Sequence, residues 1–247
     1  MPSMLTVPNG VVPQHEDKST FSHASFDYFS IDQLTPKGAR KNADVGEPHD
    51  ATRPLVTVGP ASAGSWWCAA GGWPSPALRA TTEIFYVFSG RGCVTDLDDT
   101  PHYFGPGDTV ILPKGWSGRW DIQQDVHKVW VVNDHPNIEE TTNPIRAVIT
   151  PYQDLAPKHL LEPQGEGNTL SQTVYKVGPT EVGCLMREPG SYPVSTSKTQ
   201  AFYILEGVFF LTNEDGTAQR CVAGDTLVIP KGWIGQWDIL EATRSLS

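Results

Sequence analysis

Two charged residues stand inside runs that are otherwise apolar. Glu83 heads Glu83-Ile-Phe-Tyr-Val-Phe88, and Lys128 lies within Val126–Val132. A carboxylate and an ammonium withdrawn together from water attract one another while burial opposes either charge, so such a pair can hold a polar ligand or move a proton. The other reactive residue types offer less. Cys68 follows Trp66 and Trp67, but a nucleophilic thiol needs a histidine or cation beside it. No clear partner is visible, and Cys68 reads as a buried thiol. The four cysteines are far apart, with no C-x-x-C pair. Asp96-Leu-Asp-Asp99 lacks the spacing of a calcium loop and reads as a solvated hairpin tip.

The elements that must position these residues are written twice. Gly107-Asp-Thr-Val-Ile-Leu-Pro-Lys-Gly-Trp-Ser-Gly-Arg-Trp-Asp-Ile122 recurs as Gly224-Asp-Thr-Leu-Val-Ile-Pro-Lys-Gly-Trp-Ile-Gly-Gln-Trp-Asp-Ile239, an offset of 117. Residues 83–122 align without a gap on 200–239, with 17 of 40 positions identical. The chain is a tandem duplication. Each copy reads as β: aromatic and β-branched runs (83–88, 201–205, 109–112, 226–229, 126–132) end at glycine turns about 8–12 residues apart, as in a sandwich or barrel. Helical periodicity is absent, and only 155–161 fits a short helix. Residues 1–25 read as an arm and 37–53 as a loop. The halves run 26–143, with the connection, and 144–247. The Phe21–Ile31 stretch alternates aromatic with polar residues and is expected to form a strand that crosses to a neighbour, making a homodimer and covering an open sheet edge.

Composition excludes several classes. The 247 residues carry 23 Gly and 21 Pro, too many turn-formers for a helical bundle, and 10% aromatics, too many for a disordered chain. A net charge of −10 without any Lys/Arg run excludes a nucleic-acid partner. The longest uncharged stretch, residues 54–78, is threaded with Pro, Gly and Ser and is no membrane span. With no basic-then-apolar leader in view, the expected location is cytoplasmic.

A strand, a glycine turn and then G-D-x-x-x-x-P-x-G resembles the cupin superfamily. Two copies imply an all-β bicupin, two jelly-roll β-barrels in tandem. Glu83…Tyr86…Gly90 and Gly115-Trp-Ser-Gly-Arg-Trp-Asp121 most resemble the subgroup named for the ureidoglycine aminohydrolase cupin domain. Metal-binding cupins add H-x-H before the motif glutamate and a third histidine after P-x-G. Here the matching positions hold Pro76 and Leu78, or Ala77 and Arg79, and then Gly118 and, in copy two, Gly235. All seven histidines lie elsewhere, so no metal and no other cofactor is expected.

The resemblance points Glu83 into the first barrel. Alternation along a strand then sends Phe85 and Val87 inward with it, puts Trp120 on one face with Gly118 and Ile122, and pairs Lys128 with Trp130. Lys128 matches a lysine usual in the subgroup. Glu83 and Lys128 are thus the candidate catalytic pair, with Trp66, Arg79, Tyr86 and Trp120 shaping a substrate pocket. In copy two, Glu83 becomes Gln200 and Lys128 becomes Ser245. That leaves Tyr192, Lys198, Tyr203 and Trp237 for a neutral pocket or a packed interior. Two functions remain open. One is a metal-independent lyase, isomerase or hydrolase acting on a small polar metabolite in the first barrel, with Glu83 as acid or base. The other is a non-catalytic small-molecule binding or sensing module.

Overall fold

The computed structural model describes residues 20–136, 145–155, 162–163 and 169–247. They form two nine-stranded antiparallel sheets, one for each half of the duplication. In the first, the strand Thr82–Asp96 lies between Thr109–Leu112 and Gly118–Asn133, which pairs onward with Ala61–Cys68, then His49–Val58 and Thr35–Ala39. The second repeats this with Gln200–Asn213 between Thr226–Ile229 and Ile234–Leu246, then Thr180–Arg187 and Thr169–Val177. The fold is the all-β bicupin. Among the described residues no helix is long and apolar enough to cross a membrane.

The long strands bend where their register shifts, between Val87 and Gly92 in one barrel and between Ile204 and Phe209 in the other. Bulges of this kind curl a sheet onto itself. Glycine is required at the bend: Gly90 has φ +81°, and a Cβ there would lie 2.0 Å from the Asp125 carbonyl oxygen. Gly207 meets the Ala242 carbonyl in the same way, at 2.5 Å. Inside the first barrel Phe85, Val87, Phe104, Trp116, Trp120 and Ile122 are packed; inside the second Phe202, Ile204, Phe209, Trp233, Trp237 and Ile239 take their place. The repeated Lys-Gly-Trp turns anchor these cores. Trp116 donates from Nε1 to Asp96 at 2.7 Å, and Trp233 to Asn213, the residue 117 later, at 2.8 Å.

The barrels meet through the outer faces of the same strands. Tyr86 and Tyr203, equivalent residues, pack against one another with tilted rings, centroids 4.5 Å apart, among Ile84, Ile111, Val182 and Leu246. Each barrel also receives a strand from outside its own half. Ser22–Ala24 pairs with Val228–Thr226, and Val148–Thr150 pairs in the matching register with Ile111–Thr109. His23 fastens the first exchange through Asp225, at 2.9 Å.

Two expectations change here. The arm strand Ser22–Ala24 pairs within its own chain, with Thr226–Val228. Only Ser22–Ala24 of the 21–31 stretch is strand, and Phe26–Phe29 and Ile31–Gln33 are 3-10 turns. Residues 37–53, read as a loop, contribute to two strands, because paired backbone there outweighs its turn-rich composition. The short helix expected over 155–161 lies outside the described residues beyond Leu155.

Candidate functional site

Glu83 and Lys128 meet. Strand alternation turns both into the first barrel, where they are 8% and 3% exposed. The Lys128 ammonium donates to Glu83 Oε1 at 2.7 Å. The other carboxylate oxygen, Oε2, is 2.6 Å from an Arg79 guanidinium nitrogen. Around the ammonium stand three aromatic rings, with centroids 3.7 Å away for Phe85 and 4.8 Å for both Trp66 and Trp120. Trp120 in turn stacks on Trp73 and Phe85. The apolar shell removes water, and the ring faces replace part of the lost hydration by cation–π attraction.

This geometry splits the proton affinities of the pair. Burial pushes the Glu83 carboxyl up, but Lys128 and Arg79 together outweigh it and hold Glu83 below the usual carboxylate range. Burial pulls Lys128 down, and attraction to Glu83 restores only part of the loss, with Arg79 and Arg40 adding repulsion. Glu83 is therefore a fixed anion and a weak base. The group whose proton is loosened is Lys128.

Trp66, Arg79 and Trp120 surround the pair as expected; Tyr86 does not. It sits one residue out of phase with Glu83, Phe85 and Val87, so the pleat turns it outward onto Tyr203. Sequence reasoning missed Arg40 and Asp50. Asp50, 4% exposed, accepts from Trp66 Nε1 at 2.8 Å and from Arg40 at 2.9 Å, and Arg40 lies 4.6 Å over the Trp73 ring. This second ion pair fixes the indole that walls the ammonium. The signal was a charged pair at either end of a polar stretch, which nothing in one sequence distinguishes from a solvated loop.

Cys68 is buried, and loss of water pushes its thiol up to about 12; it is no thiolate at neutral pH. Nor do the residues suit the metal that many cupins hold. Both oxygens of Glu83 are taken by cations. His127, on the opposite face of its strand, is bonded to Ser65. At Gly118, where the third histidine would stand, a Cβ would lie 2.1 Å from the Thr95 carbonyl oxygen and 2.7 Å from Trp116. At Gly235 it would lie 2.2 Å from Trp233. The tryptophans of the repeated turns fill the space a histidine would need.

The model of the EutQ-like cupin domain matches residues 57–130 and again 176–245. The chain belongs to this cupin family. Among solved structures it resembles the putative glyoxylate induced protein of Pseudomonas aeruginosa, at 17% identity over 100% of this chain and 91% of that one, with a TM-score of 0.67. It also resembles a DUF861-family protein of unknown function from Pseudomonas syringae pv. tomato, at 16% identity, 92% and 98% coverage and a TM-score of 0.66. Oxalate decarboxylase of Bacillus subtilis is more remote, at 14% identity, 94% and 78% coverage and a TM-score of 0.52. These likenesses establish the shared bicupin fold. No curated protein matches the sequence.

Proposed function

We propose that the first barrel of this EutQ-like cupin is a metal-independent site for a small anionic metabolite, and that Lys128 moves a proton there. The observation that carries the reading is the charge count around Glu83: one carboxylate faces two cations, both within 2.7 Å. The surplus positive charge suits a carboxylate ligand. Arg79, with its side chain 22% exposed against 4% for Lys128, is the cation that solvent reaches, and its Nε is buried without a partner. Arg79 swings from Glu83 to pair with the ligand's carboxylate. Lys128 then stands at the reacting carbon, giving a proton when charged and taking one when neutral. Proton transfer of this kind serves lyases, isomerases and hydrolases alike. Glu83 keeps the ammonium in place and ionic.

A binding or sensing module is the second reading. The observation favouring it is the tight aromatic cage, which fixes Lys128 as firmly as a purely structural ion pair would. One experiment separates the two. Purified protein is incubated in D2O with small carboxylic acids, including glyoxylate, oxalate and simple 2-oxo and 2-hydroxy acids, and consumption and deuterium incorporation are followed by NMR. The expected result is turnover of one class, lowered by about 10²–10⁴-fold in Lys128→Met. Saturable binding without turnover would select the sensing module. Neither binding nor turnover across the panel would end both readings.

A further inference from the structure

The second barrel has lost Glu83 and Lys128, yet it is not neutral inside. Arg187, at the end of the strand Thr180–Arg187, faces the interior, and its guanidinium carbon lies 4.1 Å over the ring of Trp237. Trp237 is the counterpart of Trp120, so both barrels set a cation on the face of the same tryptophan. They take it from different strands. Arg187 pairs with Thr243 across the sheet as Cys68 pairs with Val126, and 126 and 243 are equivalent positions. A thiol in one copy has thus become a guanidinium in the other.

The electrostatic settings differ as well. Lys128 has Glu83; Arg187 has no carboxylate within ion-pair distance among the described residues. The glutamine at the Glu83 position, Gln200, brings no charge. Burial pulls the guanidinium down to about 10, so it stays charged at neutral pH with no counter-ion among the described residues. In the same core the indole Nε1 of Trp237, a residue 2% exposed, is a buried donor with no acceptor. A buried donor without an acceptor is costly to leave so, and the partly buried guanidinium of Arg187 lies against the same ring. A cavity of about 830 Å³ between the barrels reaches Arg187, Leu185, Gln200 and Phe202. Its lining acids are already engaged, Asp134 by Lys114 and Glu181 by Lys176 and Lys198. Lys231 lines it too.

We propose that the second barrel binds a small carboxylate on Arg187, at a site separate from the Glu83–Lys128 centre. A guanidinium stacked by its face keeps its N–H edge free, and that edge matches the two oxygens of a carboxylate. Gln200 supplies an amide where the first barrel has an acid, so an incoming anion is not repelled. The expected neutral pocket of copy two is instead a cationic one.

Acetate, malonate and inorganic phosphate are titrated by calorimetry into the full chain, into Arg187→Met and Arg187→Lys, and into Arg79→Ala. The wild-type protein is expected to bind malonate with a Kd on the order of 1 mM, more tightly than phosphate. Arg187→Met should weaken one binding event at least tenfold; Arg187→Lys, a point charge without the fork, should weaken it less; Arg79→Ala, which removes only carboxylate binding in the first barrel, should leave that Arg187-dependent event in place. Near-ultraviolet circular dichroism confirms that each variant keeps its aromatic packing. Absence of saturable carboxylate binding by the wild-type protein overturns the inference. So does binding that survives Arg187→Met but is lost in Arg79→Ala, which would place the ligand in the first barrel and leave the proposed function standing.

Discussion

The two barrels keep the same turns, the same buried tryptophans and the same glycine bends, and differ in how each handles one buried positive charge. In the first, Lys128 is neutralised by Glu83 at 2.7 Å and Glu83 is shared with Arg79. In the second, the cation comes from the neighbouring strand as Arg187 and stands without an acid among the described residues. Features common to both copies answer to folding: Trp116 and Trp233 cap matching hairpins, and Gly90 and Gly207 allow matching crossings. Features that diverged are not demanded by the shared fold: Glu83 and Lys128 in one copy, Gln200 and Ser245 in the other. A closed ion pair with a loosened lysine proton suits chemistry, while an unpaired guanidinium suits capture of an anion.

The largest expected effect breaks this comparison at its centre. Glu83→Gln places in the first barrel the residue that the second already carries, but without the accompanying serine. It leaves the Lys128 ammonium buried and unpaired, and is expected to cost about 3–5 kcal/mol of stability in denaturant unfolding. Gln200 is no precedent for this change, because the residue equivalent to Lys128 in the second barrel is Ser245. Adding Lys128→Ser, which completes the pair found in the second barrel, should restore most of the loss. If the double variant were no more stable than Glu83→Gln, the ion pair would not be a coupled unit.

A smaller and symmetric effect sharpens the shared part. Gly118→Ala and Gly235→Ala each drive a methyl group against a carbonyl and a tryptophan, at 2.1 Å and 2.2 Å from the nearest atom. Each should cost about 1–3 kcal/mol by overpacking, read as a lowered unfolding midpoint. Either variant proving neutral would show that the Cβ clash at that glycine is relieved by a shift of its neighbours, and would remove the steric argument against a side chain there.

Much of this was legible in the sequence. The repeat fixed the duplication, turn spacing gave the β class, and the cupin motif with strand alternation aimed Glu83, Phe85 and Lys128 inward. Alternation also argued against Tyr86, whose odd phase sends it to the interface. What escaped was set by long-range pairing. Arg40 and Asp50 lie in a stretch too polar to read as strand, and nothing local shows that Asp50 receives Trp66. The strand exchange of Ser22–Ala24 and Val148–Thr150 joins segments whose own sequences differ. Arg187 stands outside the gap-free alignment, so no offset pointed to it.

The Glu83–Lys128 pair also gives the first barrel a pH signature. Glu83, held below its unfolded value of 4.5, contributes stability that is present above that value and lost as pH falls through its lower folded one. Lys128 binds its proton less tightly folded than unfolded. Between its folded midpoint and 10.5 the unfolded chain holds more protons, so stability rises with pH there. The measurement that tests the central claim most directly is an NMR titration of the Lys128 side chain, with the signal assigned through Lys128→Met. The account requires a midpoint in the folded protein below 10.5, moving higher when a bound carboxylate adds negative charge beside the ammonium. A midpoint at or above 10.5, unmoved by any carboxylate that binds, would contradict it.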